Sequence, residues 1–153
     1  MTRHATTTLR SITAAAKTAG ACPIIDGAAS LAQLAALYFS PQGQEFCRAR
    51  SFPAAEQWQE LAETFPAAEL QARGLFIGHP CTGIDAVNPG NIAIIGKGVE
   101  ATIYARGADT VQRISALCGA RVNVIATNYA VVETYADATS QIILAADNTA
   151  IKL

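Results

Sequence analysis

His79, Cys81 and Asp85 form the one short stretch of this 153-residue chain whose residue types could carry out catalysis. A cysteine nucleophile needs a histidine within hydrogen-bond reach to make thiolate, and a third polar group to orient that histidine. Here Pro80 separates His79 from Cys81, and the run His79-Pro80-Cys81-Thr82-Gly83 has turn chemistry, with Pro and Gly in quick succession. Cysteine hydrolases bring their groups together from distant segments. An ordinary loop is therefore the first expectation, and a small hydrolase using Cys81 and His79 an alternative. The only other histidine is His4, which argues against a His-based metal site. Gly90, Gly96 and Gly98 could suggest a phosphate loop, but Gly96-Lys97-Gly98 lacks the spacing before it and the Ser or Thr after it, so strand corners are the better account. No catalytic residue, cofactor or metal is expected.

The remaining candidates concern binding. Tyr104, Tyr129 and Tyr135, with Arg106, Arg113 and Arg121, could make an adhesive face for a protein or glycan partner, since Tyr and Arg are favoured at interfaces; a simple solvated face is the competing account. From Asn88 onward the chain carries five basic and five acidic residues, so there is no basic stripe for nucleic acid. The net charge of −1 gives no field to gather anionic partners. Charged residues make up only 15%, against a usual quarter, which favours a homo-oligomer. No run reaches the roughly 18 apolar residues of a membrane span. Cys22, Cys47, Cys81 and Cys118 contain no Cys-x-x-Cys pair, so zinc and thioredoxin patterns are absent and buried free thiols are expected, with a Cys22–Cys47 bridge left open.

What must position these residues is a repeat. Small or polar tetrads recur: Asn88-Pro89-Gly90-Asn91, Lys97-Gly98-Val99-Glu100, Gly107-Ala108-Asp109-Thr110, Cys118-Gly119-Ala120-Arg121, Thr127-Asn128-Tyr129-Ala130, Asp137-Ala138-Thr139-Ser140 and Asp147-Asn148-Thr149-Ala150. Their starts are nine to eleven residues apart, with short β-prone runs between them. A fixed strand-and-turn period predicts stacked or meandering β-structure. In an antiparallel meander or sandwich each tetrad would be a hairpin loop, and such loops prefer Asn-Gly or Asp-Gly, neither of which occurs in the repeats. Ala105, Ala116, Ala126, Ala136 and Ala146 recur at strand ends, as a narrow interior would require. The expected fold is therefore α+β, a short-helix cap followed by a β-solenoid, with the meander or sandwich as alternative. The C-terminal run Ile151-Lys152-Leu153 has no polar cap, so Ile151 and Leu153 join the tyrosines as candidate contact residues for self-association.

Ahead of the repeats the period is helical. Residues 1–24 hold Arg3, Arg10 and Lys17 and no acid, and read as a basic, frayed or partly helical arm. Residues 25–74 read as a helical cap over the first coil and 75–153 as the repetitive β region, packed as one continuous unit. Ser30 with Gln33 fits a capping box, Ser40-Pro41 fits N-cap and N1 of a second helix, Ser51-Phe52-Pro53 reads as the start of a third, and Gly74 suits the residue after a last turn begun at Pro66.

Leu37-Tyr38-Phe39-Ser40-Pro41-Gln42-Gly43-Gln44-Glu45-Phe46-Cys47, Phe52-Pro53, Gly74-Leu75-Phe76-Ile77 and Asn128-Tyr129-Ala130-Val131-Val132 together resemble small proteins encoded in phages and prophages of gut bacteria. The resemblance spans most of the chain after residue 22, and its motifs concern packing and capping. It implies a non-enzymatic, phage-linked structural or accessory role, in the cytoplasm of the producing cell or in a virion. Thr18-Ala19-Gly20-Ala21-Cys22 weakly matches a lipoprotein cleavage site, so an exported adhesin anchored through Cys22 is a further alternative.

Overall fold

The computed structural model describes residues 2–86 and 90–153; Val87, Asn88 and Pro89, and with them half of the first tetrad, lie outside the described residues. The chain divides into two compact units at Arg73–Gly74.

The first unit is helical: α1 (Arg3–Thr18), a 3-10 turn (Pro23–Gly27), α2 (Leu31–Phe39), α3 (Pro41–Arg50), α4 (Ala55–Thr64) and α5 (Ala67–Ala72). The arm expected to be frayed or partly helical is a regular sixteen-residue helix belonging to this unit. Thr2 caps it by accepting from the Ala5 N–H, and Ala5, Thr8, Leu9, Ile12 and Ala16 recur every three or four residues to make one buried face. That face packs on α4, where the Thr8 and Thr64 hydroxyls share a hydrogen bond of 2.9 Å.

Ser40 joins α2 to α3: its hydroxyl donates to Leu37 O (2.7 Å) and accepts from Gly43 N–H (3.0 Å), with Pro41 at the first helical position. Tyr38 meets Trp58 of α4 edge to face, with centroids 5.2 Å apart. Ser51 does not start the next helix as expected. It ends α3 in the left-handed region (φ 49°), and α4 starts after Ala54, whose N–H donates to the Gln57 side chain at 2.6 Å. Ala54 has no side-chain oxygen, so its carbonyl accepts from Gln57 N–H and Trp58 N–H and the one side-chain cap bond comes from Gln57.

The second unit is a β-solenoid of about four turns. Its strands are β1 (Leu75–Ile77), β2 (Cys81–Asp85), β3 (Asn91–Ile95), β4 (Glu100–Arg106), β5 (Val111–Leu117), β6 (Arg121–Thr127), β7 (Val131–Ala136), β8 (Gln141–Ala146) and β9 (Ile151–Lys152). Odd strands stack into one sheet in the order β1-β3-β5-β7-β9, even strands into another in the order β2-β4-β6-β8, and every pairing is parallel. The tetrads from Lys97 onward are the corners between the sheets. Register partners such as Ala101↔Val122 and Val122↔Ile142 set each coil at about twenty residues. The run from Cys81, expected to be loop, already belongs to a strand, although the pairing of β2 with β4 is irregular between Cys81 and Ile84.

Between the sheets, like residues stack in columns. Ile103, Val124 and Leu144 form one; Ala101, Val122 and Ile142 another; Ala105, Ala126 and Ala146 a third. Ile92, Ile94, Ile114, Ala116 and Val132 face them from the odd sheet, all fully buried. In the last coil the same columns come into view, with Ile142 and Leu144 only partly buried and Ala136 and Ala146 exposed. Among the described residues no helix is long and apolar enough to cross a membrane.

Candidate functional site

Cys81 opens β2, and its thiol donates to the backbone carbonyl of His79 at 3.3 Å rather than to the imidazole. Burial pushes that thiol up, away from thiolate. Asp85 is engaged elsewhere: the Arg106 guanidinium donates to its carboxylate at 2.7 Å across β2 and β4. The elements of a nucleophilic triad are close in sequence but not aligned on one another. All four cysteines are free thiols; Cys22 is exposed, and burial pushes Cys47 up to about 12. Among the described residues no group of three or more His, Cys, Asp or Glu side chains could hold a metal.

At the Gly96-Lys97-Gly98 corner, Gly96 N–H donates to Leu117 O and Gly98 N–H to Gly119 O, so these amides hold the next coil and are not offered to a phosphate. The corners above use side chains. Cys118 (φ 57°), Asn128 (φ 53°) and Tyr129 (φ 60°) are left-handed, which turns their N–H groups along the solenoid. The Asp137 carboxylate accepts from Cys118 N–H (2.7 Å) and the Ser140 hydroxyl from Gly119 N–H (2.9 Å). One corner further round, Asp147 accepts from Asn128 N–H (3.2 Å) and the Thr149 hydroxyl from Tyr129 N–H (2.8 Å). The Asp-x-Thr tetrads are thus coil-to-coil clasps. A second device sits at the Gly107 corner, where buried Gln112 accepts from Arg106 N–H and donates to Arg106 O.

The candidate tyrosines do not share one face. Tyr104 (42% exposed) lies on the outside of the even sheet, Tyr135 on the outside of the odd sheet, and Tyr129 (63% exposed) at a corner between them. Arg113 pairs with Glu133 on the odd sheet at 2.9 Å, while Arg106 and Arg121 belong to the even one. The structure therefore divides the expected adhesive face among three sides.

Ile151 and Leu153 belong to the odd sheet, Ile151 in register with Val131 and Leu153 N–H donating to Val132 O, whereas Ile143 points out from the even sheet. Ile143 (56% exposed), Ile151 (55%) and Leu153 (62%) lie in the last coil, beside partly buried Ile142, Leu144 and Ala150. β8 pairs with β6 on one side, and no strand of the described residues pairs with its other edge. Of β4 to β9, β8 alone carries no charged side chain. In the sequence, Ile142-Ile143-Leu144 offers apolar residues to both faces, as a strand covered on both sides would, but only Ile151 and Leu153 are candidate contact residues there. Comparison with protein-family profiles, with curated proteins and with solved structures gives no match.

Proposed function

We propose that this chain is a non-enzymatic structural or interaction protein that self-associates through its β region. The observation that carries the reading is the outer face of the even sheet, where exposed Tyr104 is in register with Ile125 and exposed Ile143, one column over, is in register with Asn123. Low overall charge supports the same reading.

The resemblance to phage-encoded proteins supports a virion or accessory component, and a stack of short coils clasped at its corners suits a part that has to hold its shape. Tyr104, exposed on the outside of the even sheet, could equally meet a protein or glycan partner.

The test is light scattering of the eluting full-length chain beside its Ile143→Lys variant. Ile143 points outward, so the variant keeps its fold. A defined oligomer that dissociates on substitution is the expected result. A monomeric full-length chain removes the reading.

A further inference from the structure

Opposite charges one coil apart are treated differently on the two sheets. On the odd sheet Arg113 and Glu133, in register on neighbouring strands, are joined at 2.9 Å. Glu100 and Arg121 stand in the same relation on the even sheet, both exposed, yet among the described residues neither enters an ion pair. The same register sets Tyr104 beside Ile125, Thr102 beside Asn123 and Arg106 beside Thr127. Asp85 lies next to Tyr104 on the other side and holds Arg106. Two acids, Asp85 and Glu100, and two bases, Arg106 and Arg121, leave this face neutral, so a second copy of it is not repelled.

Resting on the reading of the chain as a self-associating module, we infer that the outer face of the even sheet packs on that of a second copy, about a two-fold axis parallel to the strands and midway between β4 and β6. Such an axis keeps the strand direction and reverses the order of the coils. β4 then lies over β6 of the second copy, and each residue meets its own register partner. Tyr104 covers Ile125 of the second copy, Thr102 meets Asn123, and Glu100 meets Arg121, each contact made twice. Arg106 keeps Asp85 and meets Thr127, while Ile143 falls over β2 of the second copy. Apolar lies on apolar, polar on polar and acid on base. Other placements lose this match. Moving the axis onto β4 sets Glu100 on Glu100 and Arg106 on Arg106, and moving it onto β6 sets Arg121 on Arg121. An axis along the solenoid would bring Glu100 to Arg106, which Asp85 already holds, but would set Tyr104 on Thr102 and Ile125 on Asn123. Strands of up to seven residues in four layers make a contact about 20 Å on a side, small for a specific interface, so the dimer comes apart on dilution.

The experiment is light scattering of Glu100→Arg, of Arg121→Glu and of their one-to-one mixture, beside the native chain at the same concentration. Alone, the first variant sets cation against cation across the contact, and the second sets anion against anion. In the mixture each altered position meets an opposite charge on the other variant, whereas within either chain the two positions still carry like charge. A native dimer, two monomeric variants and a mixture that dimerises are the expected result. A mixture that stays monomeric beside a native oligomer, or a variant that dimerises alone, overturns this pairing and leaves self-association standing. A monomeric native chain overturns both and leaves the face to a partner of another kind. Should a variant fail to fold, iodination of the tyrosines of the native chain decides. Tyr104 should react several-fold more slowly in the dimer than after dilution, and Tyr129, at its corner, equally fast in both. Unchanged reactivity of Tyr104 in an intact oligomer overturns the pairing.

Discussion

Single residues hold this chain together at its turns. A Cβ on Gly43 would sit 1.9 Å from Leu37 O, in backbone that cannot give way without opening the α2–α3 corner. Gly43→Ala is expected to cost about 3 kcal/mol or more, read as a lower urea midpoint, because the clash is with backbone rather than with a flexible side chain. At the solenoid corners the critical atoms are carboxylates. Burial acts to raise Asp137, but hydrogen bonds from Cys118 N–H, the Ser140 and Thr139 hydroxyls and Thr139 N–H outweigh it and hold the group below 3.8. Asp147 is lowered first by the Thr149 hydroxyl and then by Thr149 N–H, against slight desolvation, with Asn128 and Ala150 N–H adding to the effect. A folded-state value below the unfolded one gives stability that is complete above the unfolded value and drains away as pH falls through the folded one. Thermal unfolding should therefore be insensitive to pH near neutrality and weaken below about pH 4. The Asp137→Asn and Asp147→Asn double variant should start lower at neutral pH and lose less on acidification; an unchanged acid slope would show that other carboxyls dominate.

At the scale of elements, stacking ties the worth of a side chain to its coil. Ile103 sits in the middle of a column, fully buried, whereas Ile142 crowns another and is partly open. Ile103→Ala should cost about 3 kcal/mol and Ile142→Ala about 1 kcal/mol in the single chain, measured by chemical denaturation at low concentration. Concentration-dependent stability of the native chain, lost in Ile143→Lys, would accompany self-association through the outer face of the even sheet. The strands and corners were legible because every corner is marked by small or polar residues at a near-constant interval, and the missing Asn-Gly and Asp-Gly pairs spoke for coils over hairpins. α1 was harder to read: its buried face mixes Thr8 and alanines with only Leu9 and Ile12, a weak apolar signal. Cys81 was assigned to a loop because Pro80 and Gly83 are turn residues, yet an edge strand tolerates both. The separation of Tyr104, Tyr129 and Tyr135 depends on which sheet each run joins and on side-chain parity within it, and neither is visible in spacing along the chain.

For the whole β unit, the parallel stacking described above has a mechanical consequence. Strands lie across the solenoid axis, so the bonds between coils point along it, spaced about 4.8 Å per layer. Tension applied through the two ends of the unit loads one inter-coil interface at a time, like opening a zip, with no need to shear a whole sheet at once. Each released coil of about twenty residues should lengthen the tether by roughly 65 Å once its stacked height is subtracted, taking about 3.5 Å per extended residue. A force–extension record would then show several evenly spaced low-force steps; one large rupture would mean the coils yield as a block. Tension applied along the strands has to break many bonds together, so the same fold should resist sideways load far better than a pull on its ends.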